Sequence, residues 1–265
     1  MINKTLTAVI LAFMLVISYA GASYITLETA IVTNPNSISV SITNKGDEPA
    51  YNVQPSLISP IVANIAVKQR LEINEKQTSM FDIGLSDSLP GTYPVILNID
   101  YADANNYPFS AIATSTWINK LATSPGLIMA LEPIKLSGSN KLKLSVKNLD
   151  DHKKDIEIRI IVPKELTVED EKQLSLEPRS SGKLSFKIED FSARPDSTYA
   201  VFAIAEYDKD GRHYTSITSS SVKIVKGLNI PISILSVSLA ALLVIYIVYK
   251  VRKGNEGKHN HPDTK

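Results

Sequence analysis

Histidine and cysteine often carry catalysis or bind metals, and this chain has few of them. It has no cysteine, which excludes thiol catalysis and thiolate metal sites. Its four histidines are His152, His213, His259 and His261. His152 falls in a predicted turn and His213 follows a predicted hairpin turn, so we expect both to be solvated. His259 and His261 lie in a polar tail that lacks the partners of a closed metal site. No histidine has a serine and an aspartate grouped around it in sequence, as a hydrolase triad would suggest.

The carboxylates give one pattern similar to the start of a calcium loop, at Asp208-Lys209-Asp210-Gly211. The twelfth position of such a loop should be a bidentate Glu, but it is Ser219. Asp-Gly is also a strong hairpin signal, so a turn is the favoured interpretation. Calcium binding by Asp100 and Asp103 at an interdomain junction is a second hypothesis. With no Gly-rich phosphate loop either, we expect no cofactor, no metal and no catalytic residue, and the chain is not expected to be an enzyme.

Aromatic side chains on or beside the predicted hairpins are the remaining candidates for binding. Tyr107, Trp117 and Tyr214 form the candidate binding surface, where outward-facing rings would stack on sugars or anchor a protein partner. The alternation of apolar residues along the same strands favours a different interpretation, in which many of these rings belong to the core.

The overall charge is nearly balanced. The chain has 28 Lys and Arg against 27 Asp and Glu, a formal net charge of +1. Because phosphate binding needs a clustered basic face, this balance argues against a nucleic-acid partner.

Period-two alternation of apolar and polar residues is the main structural signal. It runs through Ile38–Ile42, Val95–Tyr101, Leu142–Val146 and Tyr199–Tyr207, separated by turn clusters, and no convincing amphipathic helix interrupts it. The alternating runs match one another at an offset of about 105 residues, as expected for a duplicated domain. The sequence therefore predicts an all-β chain of two tandem antiparallel Ig-like β-sandwiches, over residues 23–122 and 134–226, joined by a linker at residues 123–133.

Two stretches resemble CARDB-like and NEW3-like immunoglobulin-type modules. The first is Ile38–Val53, and the second runs from Val146–Asn148 through Ile160–Pro163 to Leu174–Pro178. In those modules a strand ends in an Asn turn, a second strand ends near Pro, and a Leu-x-Pro turn precedes a Phe-containing strand. The resemblance covers most of residues 30–225. It implies repeated modules of prokaryotic surface and membrane proteins, often beside adhesion or carbohydrate-active domains, and it carries over no catalytic residue.

The N-terminus is typical of a signal peptide. Lys4 precedes an apolar run over residues 6–17, which is too short to span a bilayer comfortably. Ala20 and Ala22 fit a cleavage site before Ser23, giving a signal peptide over residues 1–22. Cleavage after Ser18-Tyr19-Ala20 and an uncleaved signal anchor are the alternatives.

Residues 228–249 predict a transmembrane helix. The stretch carries no charge, and about 20 apolar residues suffice to cross a bilayer core. The basic residues Lys250, Arg252 and Lys253 follow at once, and they place the tail, residues 250–265, on the cytoplasmic side. Everything before the helix is then expected outside the cell, on a single-pass plasma-membrane protein. The missing cysteines, together with the lack of Asn-x-Ser/Thr triplets beyond Asn3, favour a prokaryotic envelope.

These features predict a non-enzymatic membrane protein that displays two Ig-like domains as an interaction or spacer module, for example as an accessory subunit of an envelope complex. Its expected partners are the lipid bilayer and a protein of the envelope or membrane. The alternative is a module for surface polysaccharide or adhesion that uses the hairpin aromatics. An enzyme whose site is hidden by spacing is the third hypothesis.

Overall fold

A computed structural model describes residues 24–59, 62–83 and 88–225, and these residues form strands, turns and loops without any helix. The predicted all-β class is therefore confirmed for this part of the chain. No described segment is a helix long and apolar enough to cross a membrane. The predicted signal peptide at residues 1–22, the predicted helix at 228–249 and the basic tail all lie outside the described residues.

Seventeen strands are found in the described residues. In the first half of the chain they are β1 (Leu27–Asn34), β2 (Ser37–Asn44), β3 (Ala50–Ser59), β4 (Val62–Ile65), β5 (Gln69–Leu71), β6 (Lys76–Asp82), β7 (Gly91–Ala102) and β8 (Pro108–Asn119). In the second half they are β9 (Leu127–Leu131), β10 (Ile134–Leu136), β11 (Ser139–Asn148), β12 (Lys154–Ile161), β13 (Leu166–Val168), β14 (Lys172–Leu176), β15 (Ser181–Asp190), β16 (Thr198–Lys209) and β17 (Arg212–Ile224).

The two halves repeat one pattern of strand pairing. In the first half β1 pairs with β2 and β2 with β6, while β3 pairs with β7 and β7 with β8. In the second half β9 pairs with β11 and β11 with β15, while β12 pairs with β16 and β16 with β17. All of these pairs are antiparallel, and the matching order gives both halves a sandwich-like arrangement of two sheets.

Each half has its own hydrophobic core between its two sheets. Alternate residues of β2, such as Ile38 and Val40, point inward and meet Leu97 and Ile99 of β7 in one buried cluster. In the second half Leu142 and Leu144 of β11 likewise meet Val201 of β16. The period-two pattern therefore marks the inward-facing side chains, as expected for strands with one buried face.

A buried asparagine recurs at the same place in both halves. Asn44 ends β2, and its Nδ2 donates to the carbonyls of Glu48 and Leu71 while its Oδ1 accepts from the Gly46 amide. Asn148 ends β11 and makes the equivalent three bonds, to the His152 and Glu177 carbonyls and from the Asp150 amide. Both side chains pin the following turn to a second loop, which explains why an Asn turn closes this strand.

One predicted boundary is shifted. The linker expected over residues 123–133 contains β9, whose Leu127 and Leu131 are buried in the second core and whose backbone pairs with β11. Residues 120–126 are the segment between β8 and β9. Hydrophobic burial and sheet pairing together assign residues 127–131 to the second half.

Candidate interaction site at the junction of the two halves

A backbone contact joins the two halves. Gly91, the first residue of β7, pairs in parallel with His213 of β17, and this pair merges strands of both halves into one ten-stranded sheet of described residues. The His213 amide donates to the Pro90 carbonyl at 3.0 Å. A Cβ atom at position 91 would lie 2.2 Å from the His213 carbonyl oxygen. Only glycine lets the two strands approach this closely.

Threonine side chains tie the linker to the same contact. The Thr123 hydroxyl donates to the His213 carbonyl at 2.7 Å and accepts from the Thr92 amide at 3.1 Å. The Thr215 hydroxyl donates to the Thr92 carbonyl at 2.7 Å. The linker is thus bonded both to β7 of the first half and to β17 of the second.

The His213 ring lies between the halves and not in solvent. Its side chain is 13% exposed, which corrects the expectation of a solvated histidine. It stacks on Tyr93 with centroids 4.1 Å apart, while its Nδ1 lies 2.7 Å from Asp208 and its Nε2 lies 3.1 Å from Glu206. Burial lowers the pKa of His213, but hydrogen bonds and charges from Glu206 and Asp208 outweigh burial and raise the pKa above its usual value. The ring therefore lies between two carboxylates beside the first half, within hydrogen-bond distance of both.

A buried carboxylate makes a second link, towards the other end of β7 and β8. Glu165 is 4% exposed and accepts from both the amide and the hydroxyl of Ser110, each at 2.6 Å. Next to it, Lys164 pairs with Asp100 at 2.5 Å. Burial and then the charge of Glu165 raise the pKa of the neighbouring Tyr101 to about 12.

An apolar contact lies between these two polar links. Ile96 of β7 and Ile112 of β8 pack with Ile204 of β16, and all three are buried. These side chains lie on strands of both halves and form a cluster separate from either core. The junction thus combines backbone pairing, a buried acid and a small hydrophobic contact.

A buried lysine holds the linker from the second half. The Lys154 side chain is fully buried, and its ammonium donates to the Pro125 carbonyl at 2.9 Å and to the Tyr207 hydroxyl, and pairs with Asp150 at 2.7 Å. The Tyr207 hydroxyl also donates to the Pro125 carbonyl at 2.7 Å. Burial, followed by the charge of Asp150, raises the pKa of Tyr207, so this hydroxyl stays protonated. The first half has Ala50 at the corresponding position, so the cation belongs to the linker contact and not to the repeated fold.

The structure does not bring the three candidate aromatics together. Trp117 is 5% exposed, packs in the first core and donates from Nε1 to the Asn34 carbonyl, so it has no open face for a ligand. Tyr214 is half-buried and stacks on Tyr207 at 4.8 Å. Tyr107 is 44% exposed, and its hydroxyl donates to the Ser192 carbonyl of the second half. Tyr107 and Trp117 lie near opposite ends of the β7–β8 pair.

The carboxylates considered for calcium have other roles. Asp103 accepts from the amides of Asn105 and Tyr107 and closes the loop between β7 and β8, while Asp100 pairs with Lys164. Asp210 and Gly211 both have positive φ, so the predicted hairpin turn is confirmed there. Within residues 24–59, 62–83 and 88–225, no group of three His, Asp or Glu side chains is placed to hold a metal ion.

A cavity of about 420 Å³ opens beside His213. It is lined by the carboxylates Asp155, Glu157, Glu206 and Asp208, together with Arg159. Glu206 is already bonded to Arg159 at 2.8 Å and to His213 at 3.1 Å. Four of the cavity's charged groups, Arg159, Glu206, His213 and Asp208, form a network of ion pairs beside the junction. The remaining named residues, Lys250, Arg252, Lys253, His259 and His261, lie outside the described residues.

Sequence reasoning missed the residues that build the junction. The Pro90-Gly91 dipeptide predicts a tight turn, although the missing Cβ of Gly91 serves a contact with His213, 122 positions later. Lys154 did carry a signal, because a lysine precedes the alternating run Ile156–Ile160 at an inward position. Glu165 carried none, since its partner Ser110 lies in the other half.

No protein-family model and no curated protein matches the chain. Solved structures that share some of its shape include the native form of Escherichia coli alpha-2-macroglobulin, 13% identical over 76% of this chain and 17% of that one, with a TM-score of 0.30. A Salmonella alpha-2-macroglobulin mutant is 12% identical over 77% of this chain and 16% of that one, with a TM-score of 0.31. The YadV chaperone is 16% identical over 74% of this chain and 98% of that one, with a TM-score of 0.34.

The chain spans about a sixth of the length of the macroglobulins that it matches. Identities and TM-scores this low carry no argument about family or function. The resemblance to CARDB-like and NEW3-like modules therefore stays a prediction from the sequence.

Proposed function

We propose that this chain is a non-enzymatic, single-pass membrane protein that displays two tandem Ig-like β-sandwiches outside the cell. The two sandwiches act as one rigid interaction or spacer module, for example as an accessory subunit of an envelope complex. The C-terminal helix over residues 228–249 anchors the module, and the basic residues after it face the cytoplasm.

The observation that carries this proposal is the tethered linker. Thr123 bonds to β7 and to β17, and Pro125 accepts from Lys154 and Tyr207. A linker fixed from both sides, beside a buried acid and an apolar contact, holds two domains in one arrangement, whereas a flexible tether would carry few such contacts. A fixed arrangement suits a spacer or a composite binding surface.

The charged groups of the junction support a structural role. Glu206, Asp208 and His213 satisfy one another, and Glu165 is saturated by Ser110. These hydrogen bonds hold the side chains in fixed positions beside the contact between the halves. The polysaccharide hypothesis on Tyr107, Trp117 and Tyr214 has no specific observation in its favour, because Trp117 is buried and lies far from Tyr107 along the hairpin.

Crosslinking and co-purification from native membranes test the proposal. The full chain is compared with a variant that ends before Leu228. A membrane protein that copurifies with the full chain and is lost on truncation supports an accessory subunit assembled through the bilayer. A partner retained by the truncated chain supports recognition by the β-sandwiches. Recovery of neither partner, together with measurable turnover of a hydrolase substrate, would contradict the proposal.

A further inference from the structure

The outward face of the second half carries a cluster of lysines on two neighbouring strands. β11 presents Lys141, Lys143 and Lys147, and β15 presents Lys183 and Lys187. All five are exposed, and they alternate with the buried side chains of the second core. We call these five residues the lysine face.

Strand register places the lysines side by side. Lys141 lies directly opposite Lys187. Lys183 lies opposite Ser145, which is the outward-facing residue of β11 between Lys143 and Lys147. Successive residues on one face of a strand are about 7 Å apart, and neighbouring strands are about 4.8 Å apart. The lysine face is therefore an array of positive charge about 20 Å long.

Few carboxylates neutralise this array. Lys187 pairs with Glu189 at 2.5 Å, and the charge of Glu169 also acts on Lys187. Glu132 lies next to Lys143 along the backbone, where its amide donates to the Lys143 carbonyl. The ammonium groups of Lys141, Lys143, Lys147 and Lys183 form no ion pair with any residue of the described ranges. The near-zero net charge of the whole chain hides this local excess.

Folding does not require lysines at these positions. The duplicated first half has Ser37, Ser39 and Thr43 where the second half has Lys141, Lys143 and Lys147, 104 positions later. Thr78 corresponds to Lys183, because it faces Ser41 as Lys183 faces Ser145. Like charges directly opposite each other destabilise a sheet. At these four positions the first half carries hydroxyl side chains, so the fold forms without a lysine at any of them.

Protection of a sheet edge does not explain Lys143 and Lys147. Lysine often blocks edge strands against pairing with another chain. β11 lies between β15 and β9, and both neighbours bond to it at Lys143 and Lys147. β13 pairs only with residues 188–190 of β15, so Lys183 lies on a stretch of β15 that is paired on one side. The five lysines project from the face of the sheet into solvent.

We propose that the lysine face binds a linear, carboxylated polysaccharide of the cell surface. A repeating anion along one chain matches a row of ammonium groups, which act as point charges on flexible stems. The outward side chains between the lysines are Ser145, Ser181 and Ser185, which offer hydroxyl groups to sugars. The choice of a cell-surface polymer rests on the display outside the cell proposed above.

Other polyanions fit the face less well. A single-stranded nucleic acid would be expected to stack on aromatic side chains, and the outward positions of β11 and β15 carry none. An interfacial membrane binder would carry several Trp, Phe or Leu side chains beside its basic residues. Here serines occupy the positions between the lysines, and Ile128 of β9, opposite Lys147, is an exposed apolar neighbour. Anionic vesicles are therefore a comparison in the test and not the proposed ligand.

The test measures binding of the full chain, in nonionic detergent, to immobilised polygalacturonate, with neutral dextran as the comparison polymer. The test variant replaces the unpaired lysines with the residues of the first half: Lys141→Ser, Lys143→Ser, Lys147→Thr and Lys183→Thr. A matched control removes the same charge elsewhere: Lys45→Ser, Lys68→Ser, Lys76→Ser and Lys209→Ser. Circular dichroism and thermal unfolding check that each variant folds, and the pair Lys143→Gln and Lys147→Gln replaces the test variant if it does not.

We expect the wild-type chain to bind polygalacturonate and not dextran, and to lose binding as salt rises, since salt screens exposed charges. The test variant should bind about tenfold more weakly or worse, given that each exposed ion pair contributes modestly. The control variant should stay within about twofold of wild type. Equal losses in both variants, no binding by wild type, or binding to anionic vesicles alone would each overturn the proposal. A wrong membrane topology would leave this binding intact, so the two proposals fail separately.

Discussion

Replacing the buried asparagine of either half tests how much its side-chain hydrogen bonds stabilise the fold. Asn148 is fully buried and makes three side-chain hydrogen bonds, of 2.8, 3.1 and 3.0 Å. Asn44 is equally buried and makes bonds of 2.8, 3.3 and 3.0 Å. Each side chain fastens one turn to a loop almost thirty residues further along the chain.

The expected loss follows from these bonds. A net contribution of about 1 kcal/mol per hydrogen bond gives a loss of about 3 kcal/mol for Asn148→Ala, and a similar loss for Asn44→Ala. Asn148→Asp keeps the acceptor but turns a carboxylate oxygen towards two carbonyls. It should destabilise the protein at least as much at neutral pH. That deficit should shrink as the pH falls towards about 4, because a protonated carboxyl regains one donor.

Denaturant unfolding of the full chain in nonionic detergent measures these losses, with Asn105→Ala as a control at an exposed loop position. The control should change the free energy of unfolding by less than about 0.5 kcal/mol. A loss below about 1 kcal/mol for both buried asparagines would refute the reasoning.

Three further changes probe the junction. Gly91→Ala should push β7 away from β17, because the new Cβ would lie 2.2 Å from the His213 carbonyl oxygen. Small-angle scattering should then show a larger radius of gyration than for the wild-type chain. An unchanged radius would contradict the close contact. Lys154→Ala should lower the free energy of unfolding by about 2–3 kcal/mol. This is less than for a fully buried ion pair, because Asp150 is partly exposed, and Lys154→Met should lower it less than Lys154→Ala. Denaturant unfolding and protease cleavage within residues 120–126 measure both variants. The raised pKa of His213 means that its contribution to stability is fully present below its unfolded pKa of about 6.5 and is lost as the pH rises through the folded value. His213→Gln should therefore weaken the protein most in acid, and unfolding at several pH values checks whether the difference from wild type fades in alkali.

The strands could be predicted from the sequence because each sandwich packs alternate side chains of its strands into its own core. The alternation of β7 and β16 and the Asp210-Gly211 turn are local signals, and the structure confirms them. β9 was missed because Leu127–Leu131 is apolar on both faces, with Ile128 exposed, so no alternation marks it. The flanking Pro125 and Gly126 made the stretch look like a linker.

The junction and the lysine face could not be predicted, since both depend on strand register. His213 was expected in solvent because the only signal near it in sequence is the hairpin turn. The ring that covers it belongs to Tyr93, 120 positions earlier in the chain. The net charge is a sum over the whole chain, so it does not show that Lys141 lies opposite Lys187 on one face. Trp117 could not be assigned to the core or the surface until its place in the first core was known.

Labelling of single cysteines in intact cells tests the central claim of extracytoplasmic display most directly. The chain has no cysteine, so Lys45→Cys, Lys209→Cys and Lys258→Cys each introduce one reactive site. We expect a membrane-impermeant thiol reagent to label the first two variants in intact cells and to label the third only after permeabilisation. Labelling of Lys258→Cys in intact cells, with protection of the other two, would contradict that claim.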